Sequence, residues 1–361
     1  MLGRKNGIGW HSVDKFHYIS ENLVHDIMKR IIVSAFMLFI SAVSFAQMMP
    51  DSTVQFVARW NVGEKYSYWC EEKKYEVYNG TDTVNVKKKS EIRIFEVIAK
   101  TDSTYQIRLT YKDSKSSDPN DQLADEIAKK VLGETQVLFS TGIYGNIISV
   151  DNLQELVQQQ ISLVDPLIDA VYDSLPEEQK SYTDKEAIKE WTLKACQDEN
   201  AVLTSVLDEI SHLYMFHGAR LKIDEEYSLE TEMGTILPDM PPVKAVMKFW
   251  VDKEYTDEYS ALCRIYSEAD KEQFSSFTMA ATGDAIANSL AMPDSVRTIV
   301  NESIRSATKA VDGSAEEYVA LEVHLNTGWP LNYSYAREIS IIVDDSKREI
   351  ITERDNNIIV E

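Results

Sequence analysis

Few side chains in this chain are spaced for chemistry, and the histidines come first among them. His212 and His217 lie five positions apart across an expected helix-to-strand junction, so they do not share one helical face as an i, i+4 zinc pair would. His324 supplies no third ligand, and no metal residue is assigned. There is no G-x-S-x-G elbow and no glycine-rich phosphate loop, and Cys70, Cys196 and Cys263 fit neither a CxxC motif nor a protease context. Glycoside hydrolysis needs only two carboxylates several ångströms apart. The acidic runs Glu71-Glu72, Asp224-Glu225-Glu226 and Asp344-Asp345, however, read as solvated faces or turns. No catalytic residue and no cofactor is therefore assigned. The remaining resource is aromatic: Trp60, Tyr66, Tyr68, Trp250 and Trp329 fall in strand-like blocks and could line a cradle for an apolar ligand or acyl chain.

The compartment is set by Met28 to Gln47. Lys29 and Arg30 precede the apolar run Ile31 to Val43, and Ser44-Phe45-Ala46 places small residues for a signal peptidase that would cut between Ala46 and Gln47. The apolar run is shorter than the roughly 20 residues that cross a bilayer, so the mature chain is expected to have no transmembrane segment. Met28 is the expected start, with residues 1–27 untranslated and 28–46 a signal peptide. The protein is expected in the periplasm or outer envelope. An oxidising compartment favours a Cys70–Cys263 bridge between two strand-like segments, with three free buried thiols as the alternative.

The formal net charge is −22, and the leader is slightly basic, so the mature chain is more acidic still. That balance excludes nucleic acid as a partner, since phosphate neutralisation needs clustered Lys and Arg. The one basic run, Lys87-Lys88-Lys89, is short. Docking on an anionic membrane surface is disfavoured for the same reason.

The elements that must carry the aromatics follow from periodicity. Residues 47–150 read as a first β block: Tyr66, Tyr68 and Cys70 alternate, Asn79-Gly80 marks a hairpin, and strands follow at Ile92 to Ala99 and Tyr105 to Tyr111. Leu123, Ile127 and Val131 predict a short helix between Pro119 and Gly133, after which Val137, Phe139 and Ile147 to Val150 resume the strand pattern. Residues 151–212 read as helical, opened by an Asp151/Gln154 capping box and again at Thr183/Glu186, with breaks at Pro166 and Pro176. Residues 213–361 form a second β block with a helical insertion near 280–312. The expected class is α+β: two related antiparallel blocks around a helical middle.

The second block repeats the first in order. Tyr105 to Tyr111 resembles Tyr259 to Ile265, and Val137-x-Phe139-x-Thr141-Gly142-x-x-x-Asn146 matches Val323-x-Leu325-x-Thr327-Gly328-x-x-x-Asn332. The leader, the opening Trp60-x-x-Gly63-x-x-Tyr66 and the stretch Asn326-Thr-Gly-Trp-Pro330 together resemble uncharacterised exported proteins of Gram-negative bacteria. The resemblance implies an envelope location and a β-rich build. The expected role is a non-catalytic binding protein with a hydrophobic-ligand or lipid cradle. A structural or protein-partner-binding envelope protein is the alternative, and a carboxylate-dependent hydrolase the third.

Overall fold

The computed structural model describes residues 51–234, 236, 241–279, 312–343 and 346–359. The leader with its Ala46/Gln47 junction, and nearly all of the 280–312 insertion, lie outside the described residues. The N-terminal half runs β1 (Thr53–Gln55), β2 (Lys65–Tyr78), β3 (Asp82–Lys100), β4 (Thr104–Ser116), α1 (Pro119–Leu132), β5 (Gln136–Gly142) and β6 (Ile147–Val150). Four helices follow: α2 (Leu153–Ser174), α3 (Glu177–Lys180), α4 (Lys185–Cys196) and α5 (Glu199–Tyr214). The chain then continues as β7 (Arg220–Lys222), β8 (Tyr227–Met233), β9 (Val243–Val251), β10 (Ser260–Ala269), β11 (Asp312–His324), β12 (Pro330–Val343) and β13 (Ser346–Ile359).

Local chemistry sets most of these boundaries. Asn79 and Gly80 both take positive φ (50° and 76°) and with Thr81 make the three-residue connection between β2 and β3, where the Thr81 N–H donates to Tyr78 O at 3.1 Å. Asp118 caps α1 through the Asn120 N–H, Pro119 occupies the first turn, and Gly133 ends it. The helical middle differs from expectation in three places. Asp151 does not cap α2, because its carboxylate accepts from Gln106, Ser140 and Ser149 at 2.7–2.8 Å and is held against the sheet. Asp184, not Thr183, caps α4 by accepting from the Ala187 N–H at 3.0 Å. Pro166 lies inside α2 rather than ending it. Buried Leu156, Val157 and Val164 precede it, and Asp165 and Asp169 on either side of it pair with Lys185 and Lys189 of α4, so packing overrides the break. Pro176 does end α2.

The two β blocks are not separate. Eleven strands form one antiparallel sheet in the order β6-β5-β4-β3-β2-β13-β12-β11-β10-β9-β8, and β1 and β7 make a two-stranded pair. The last strand fills the seam, hydrogen-bonding β2 on one side and β12 on the other.

This sheet cannot be flat. The strands β5 and β11 stand six places apart, about 29 Å at ~4.8 Å per strand. Yet the consecutive N–H groups of Ala58 and Arg59 donate to Tyr144 O (2.9 Å), after β5, and to Thr327 O (3.0 Å), after β11. The sheet therefore curls until its two strand-end turns meet on one short segment. The concave side holds the main core, including Phe56, Trp60, Phe95, Ile107, Phe139, Leu321 and Trp329, with Ile210, Leu213 and Tyr214 of α5 packed into it. A second cluster, with Val243, Phe274, Ala315 and Ile339, lies further along the same strands.

Candidate functional site

Three of the five aromatics expected to line a cradle do come together. The Trp60 and Trp329 rings sit 4.7 Å apart, and Tyr66 lies 4.6 Å from Trp329. Tyr105, Tyr214 and His217 complete the group at 5.1, 5.9 and 5.6 Å from Trp60. Tyr68 lies in the same core, its hydroxyl donating to Pro330 O at 2.7 Å. Trp60 and Trp329 have no exposed surface and Tyr68 nearly none, the two indoles packing against neighbouring rings and Tyr68 meeting Phe95 edge to face. They are core, not the walls of an open cradle. Trp250 does not join them: its neighbours Phe249 and Val251 reach the main core, so alternation turns Trp250 to the other face of β9.

His217 is fully buried here. Its Nε2 meets Gly328 O at 2.6 Å, which makes Nε2–H the donor and leaves Nδ1 unprotonated. Burial lowers its pKa from 6.5 to about 4, against the opposing pull of the Gly328 and Tyr214 backbone. The ring also packs against Gly145, so it wedges between the two turns that the Ala58-Arg59 segment ties.

The expected Cys70–Cys263 bridge is absent. Cys70 and Cys263 are buried and Cys196 partly buried, and none of the three forms a disulfide among the described residues. The strand register explains it, since Cys263, Leu321, Tyr333, Asn356 and Cys70 form one lateral row. Four strand steps, about 19 Å along the sheet, separate sulfurs whose Cα atoms would need to lie within roughly 7 Å.

The open site lies along that row. Across β3, β2, β13 and β12, Arg93-Tyr68-Ile358 gives way to Glu91-Cys70-Asn356-Tyr333 and then to Lys89-Glu72-Arg354-Tyr335. One face thus turns from apolar to charged midway along the strands. The short side chains of Cys70 and Asn356 leave a hollow of about 250 Å³, bounded also by Glu71, Lys74 and, from α5, Asp208. Arg354 donates from Nε to Glu72, and Arg93 donates from Nε to Glu91 at 2.7 Å. Beside them, Arg337 donates from Nε to Glu317 at 2.6 Å, and Tyr335 donates to the same oxygen at 3.0 Å.

The electrostatics of the hollow follow from these pairs. Burial alone would raise Glu72, but the Arg354 charge and Lys74 outweigh it and hold its carboxyl below the usual range. One turn beyond Asp208, His212 stacks on Tyr333 and Tyr335 (5.9 and 5.6 Å) and meets Tyr333 Oη at 3.2 Å. Burial lowers the His212 pKa and raises that of Tyr333, which favours the neutral form of both. Among the described residues no group of three or more His, Cys, Asp or Glu is placed to hold a metal ion.

Glu72 in this hollow had read as part of a solvated acidic run. A better signal was in the strand phase. Glu91 and Arg93 alternate in register with buried Phe95 and Val97, and Arg354 and Asn356 do so with Ile358, so charged residues occupy core-facing positions.

The described architecture is that of a β-rich protein: one curled antiparallel sheet with a helical layer and a charged hollow on its covered face. No protein-family model matches the chain, and no curated protein does. Among solved structures, it is similar to an outer membrane channel from Pseudomonas putida F1 at 8% identity, over 84% of this chain and 98% of that one, with a TM-score of 0.17. A mutant Rh. blastica porin matches at 7% identity over 81% of this chain and 100% of its own, TM-score 0.18. Ail, the attachment invasion locus protein of Yersinia pestis, matches at 5% identity, 83% of this chain, 100% of its own and TM-score 0.12. Scores this low carry no argument about this chain.

Proposed function

We propose that this chain is an exported, non-catalytic binding protein of the cell envelope whose ligand site is the charged hollow beneath α5. The hollow itself carries the reading. It is walled by residues from four strands and one helix, and two of its floor residues, Cys70 and Asn356, are nearly buried. Export rests on the Met28–Gln47 leader, and a ligand of polar rather than apolar chemistry follows from the lining.

Native mass spectrometry of the exported chain is the test. A small adduct that is lost on unfolding, and that is also lost from a folded Asn356→Phe variant whose ring fills the hollow, supports the site. A bare mass for the wild-type chain, or an adduct that persists in the folded variant, overturns it.

One observation favours a second reading, docking of an envelope protein on the helical layer. Tyr182, Ile188 and Trp191 are exposed at 85%, 40% and 72%, with Ile188 and Trp191 three residues apart on α4. Crosslinking in cells through position 191 should then recover one specific protein. A hydrolase is less well supported, because Glu72, a carboxylate of the hollow, is held in its ionised form by Arg354 and Lys74 rather than kept as an acid.

A further inference from the structure

We infer that the hollow takes a small zwitterion, a free α-amino acid, with its carboxylate on Arg354 and its ammonium on Asp208; this rests on the binding reading above. Three observations carry it. First, the lining carries both signs: Lys74, Lys89, Arg93 and Arg354 stand beside Glu72, Glu91 and Asp208, while alternation turns the Glu71 side chain to the other face of β2. A ligand that presents both a carboxylate and an ammonium finds a partner of opposite sign for each in such a lining.

Second, two lining groups of opposite charge are left for a ligand, Arg354 on β13 of the sheet and Asp208 on α5. Arg354 holds Glu72 through Nε alone, so its terminal Nη groups can take a carboxylate in the planar two-bond geometry that a guanidinium favours. Asp208, on the roof, is exposed and makes no ion pair among the described residues, and an ammonium is the cation that would complete it. Asn356, two residues from Arg354 on the same face of β13, is nearly buried and has no side-chain partner among the described residues, so its amide can accept from the ammonium and donate to the carboxylate.

Third, the space is small. At about 250 Å³ the hollow falls below the range of drug-sized sites, and Tyr333 is the one aromatic ring in a lining otherwise made of charged side chains, a thiol and an amide. The amino acid's backbone groups, not its side chain, are what the site reads.

The test is calorimetric titration of the exported chain with L-alanine, propionate and ethylamine, which share size but divide the two charges. L-alanine is expected to bind at least tenfold more tightly than either. Asp208→Asn, on an exposed helical position, should bring L-alanine down to the level of propionate, and Arg354→Gln should abolish both. Circular dichroism would check that the variants fold. Propionate binding as tightly as L-alanine would overturn the zwitterion while leaving the hollow a site for anions. So would failure of all three probes when native mass spectrometry still shows a polar adduct. If no adduct and no binding are found, both the zwitterion and the binding reading fall.

Discussion

His217 should make the stability of this protein depend on pH between about 6.5 and 4, and substituting it should remove that dependence. Its ring is neutral in the folded core because burial holds its pKa near 4, against an ordinary value of 6.5. Above pH 6.5 the ring is neutral in both states and contributes no slope. Between the two values the unfolded chain binds a proton that the folded chain does not, so stability falls as pH falls. Below about 4 the contribution levels off. At about 1.4 kcal/mol per pH unit, the gap comes to about 3 kcal/mol. His217→Gln keeps an N–H for Gly328 O but does not titrate. Urea unfolding followed by tryptophan fluorescence at pH 7.5, 6.0, 5.0 and 4.5 should show wild type losing about 3 kcal/mol more than the variant over this range. The difference isolates one ring, since burial also lowers His212 and His324 and both chains share them. Parallel pH profiles, within about 0.5 kcal/mol, would refute the claim that this imidazole stays neutral in the core.

Gly328→Ala is expected to cost about 2–4 kcal/mol: φ is +77° and an added Cβ would lie 2.5 Å from Val57 O, so thermal melting should drop by several degrees. Trp60→Ala should cost about 3–5 kcal/mol in chemical unfolding, because Tyr105, Tyr214, Trp329 and His217 would face the cavity it leaves. In the native protein a maleimide should label Cys196 alone, and the intact mass under non-reducing conditions should show three free thiols; rapid native labelling of Cys70 or Cys263 would contradict their burial. Truncation after Val343 removes β13 and leaves β2 and β12 with unpaired edges at the middle of the sheet; it should abolish cooperative unfolding, whereas two independent β domains would each survive it.

Much of the fold was legible because it is written locally. Alternation at Tyr66, Tyr68 and Cys70, the Asn79-Gly80 turn and the Asp118-Pro119 start all act within a few residues, and tertiary structure had no reason to oppose them. Pairing at long range was not written there. Nothing near Ser346–Ile359 indicates that this strand will separate β2 from β12, or that four strand steps will divide Cys70 from Cys263. The aromatic residues were found, but whether Trp60 and Trp329 line a space or fill one depends on a curl that only the Ala58 and Arg59 hydrogen bonds reveal. The charged hollow is not legible in the Glu71-Glu72 run, which has the pattern of a solvated face; its signal is that Glu91, Arg93 and Arg354 share phase with the core.

The repeat seen in the sequence acquires a spatial meaning from the strand order. Taking β4 with β10 and the β5-turn-β6 unit with β11-turn-β12, the sheet reads β6 to β2 and then, past β13, β12 to β8: the same succession twice, in the same direction. The two Thr-Gly segments are the parts that meet. Gly145, just after the first, packs on His217, Gly328 of the second bonds its Nε2, and the Ala58-Arg59 segment binds both turns through neighbouring N–H groups. A curled sheet whose edges are not paired to each other needs some such tie, since a flat sheet would expose the concave core to water. Held by the turns at one end, the concave face keeps its apolar rows under α5, and the charged rows fall further along the strands, where α5 presents Asp208 and His212. The hollow therefore lies at the place where the fold stops covering its own face, which is where a ligand can complete what the chain leaves open.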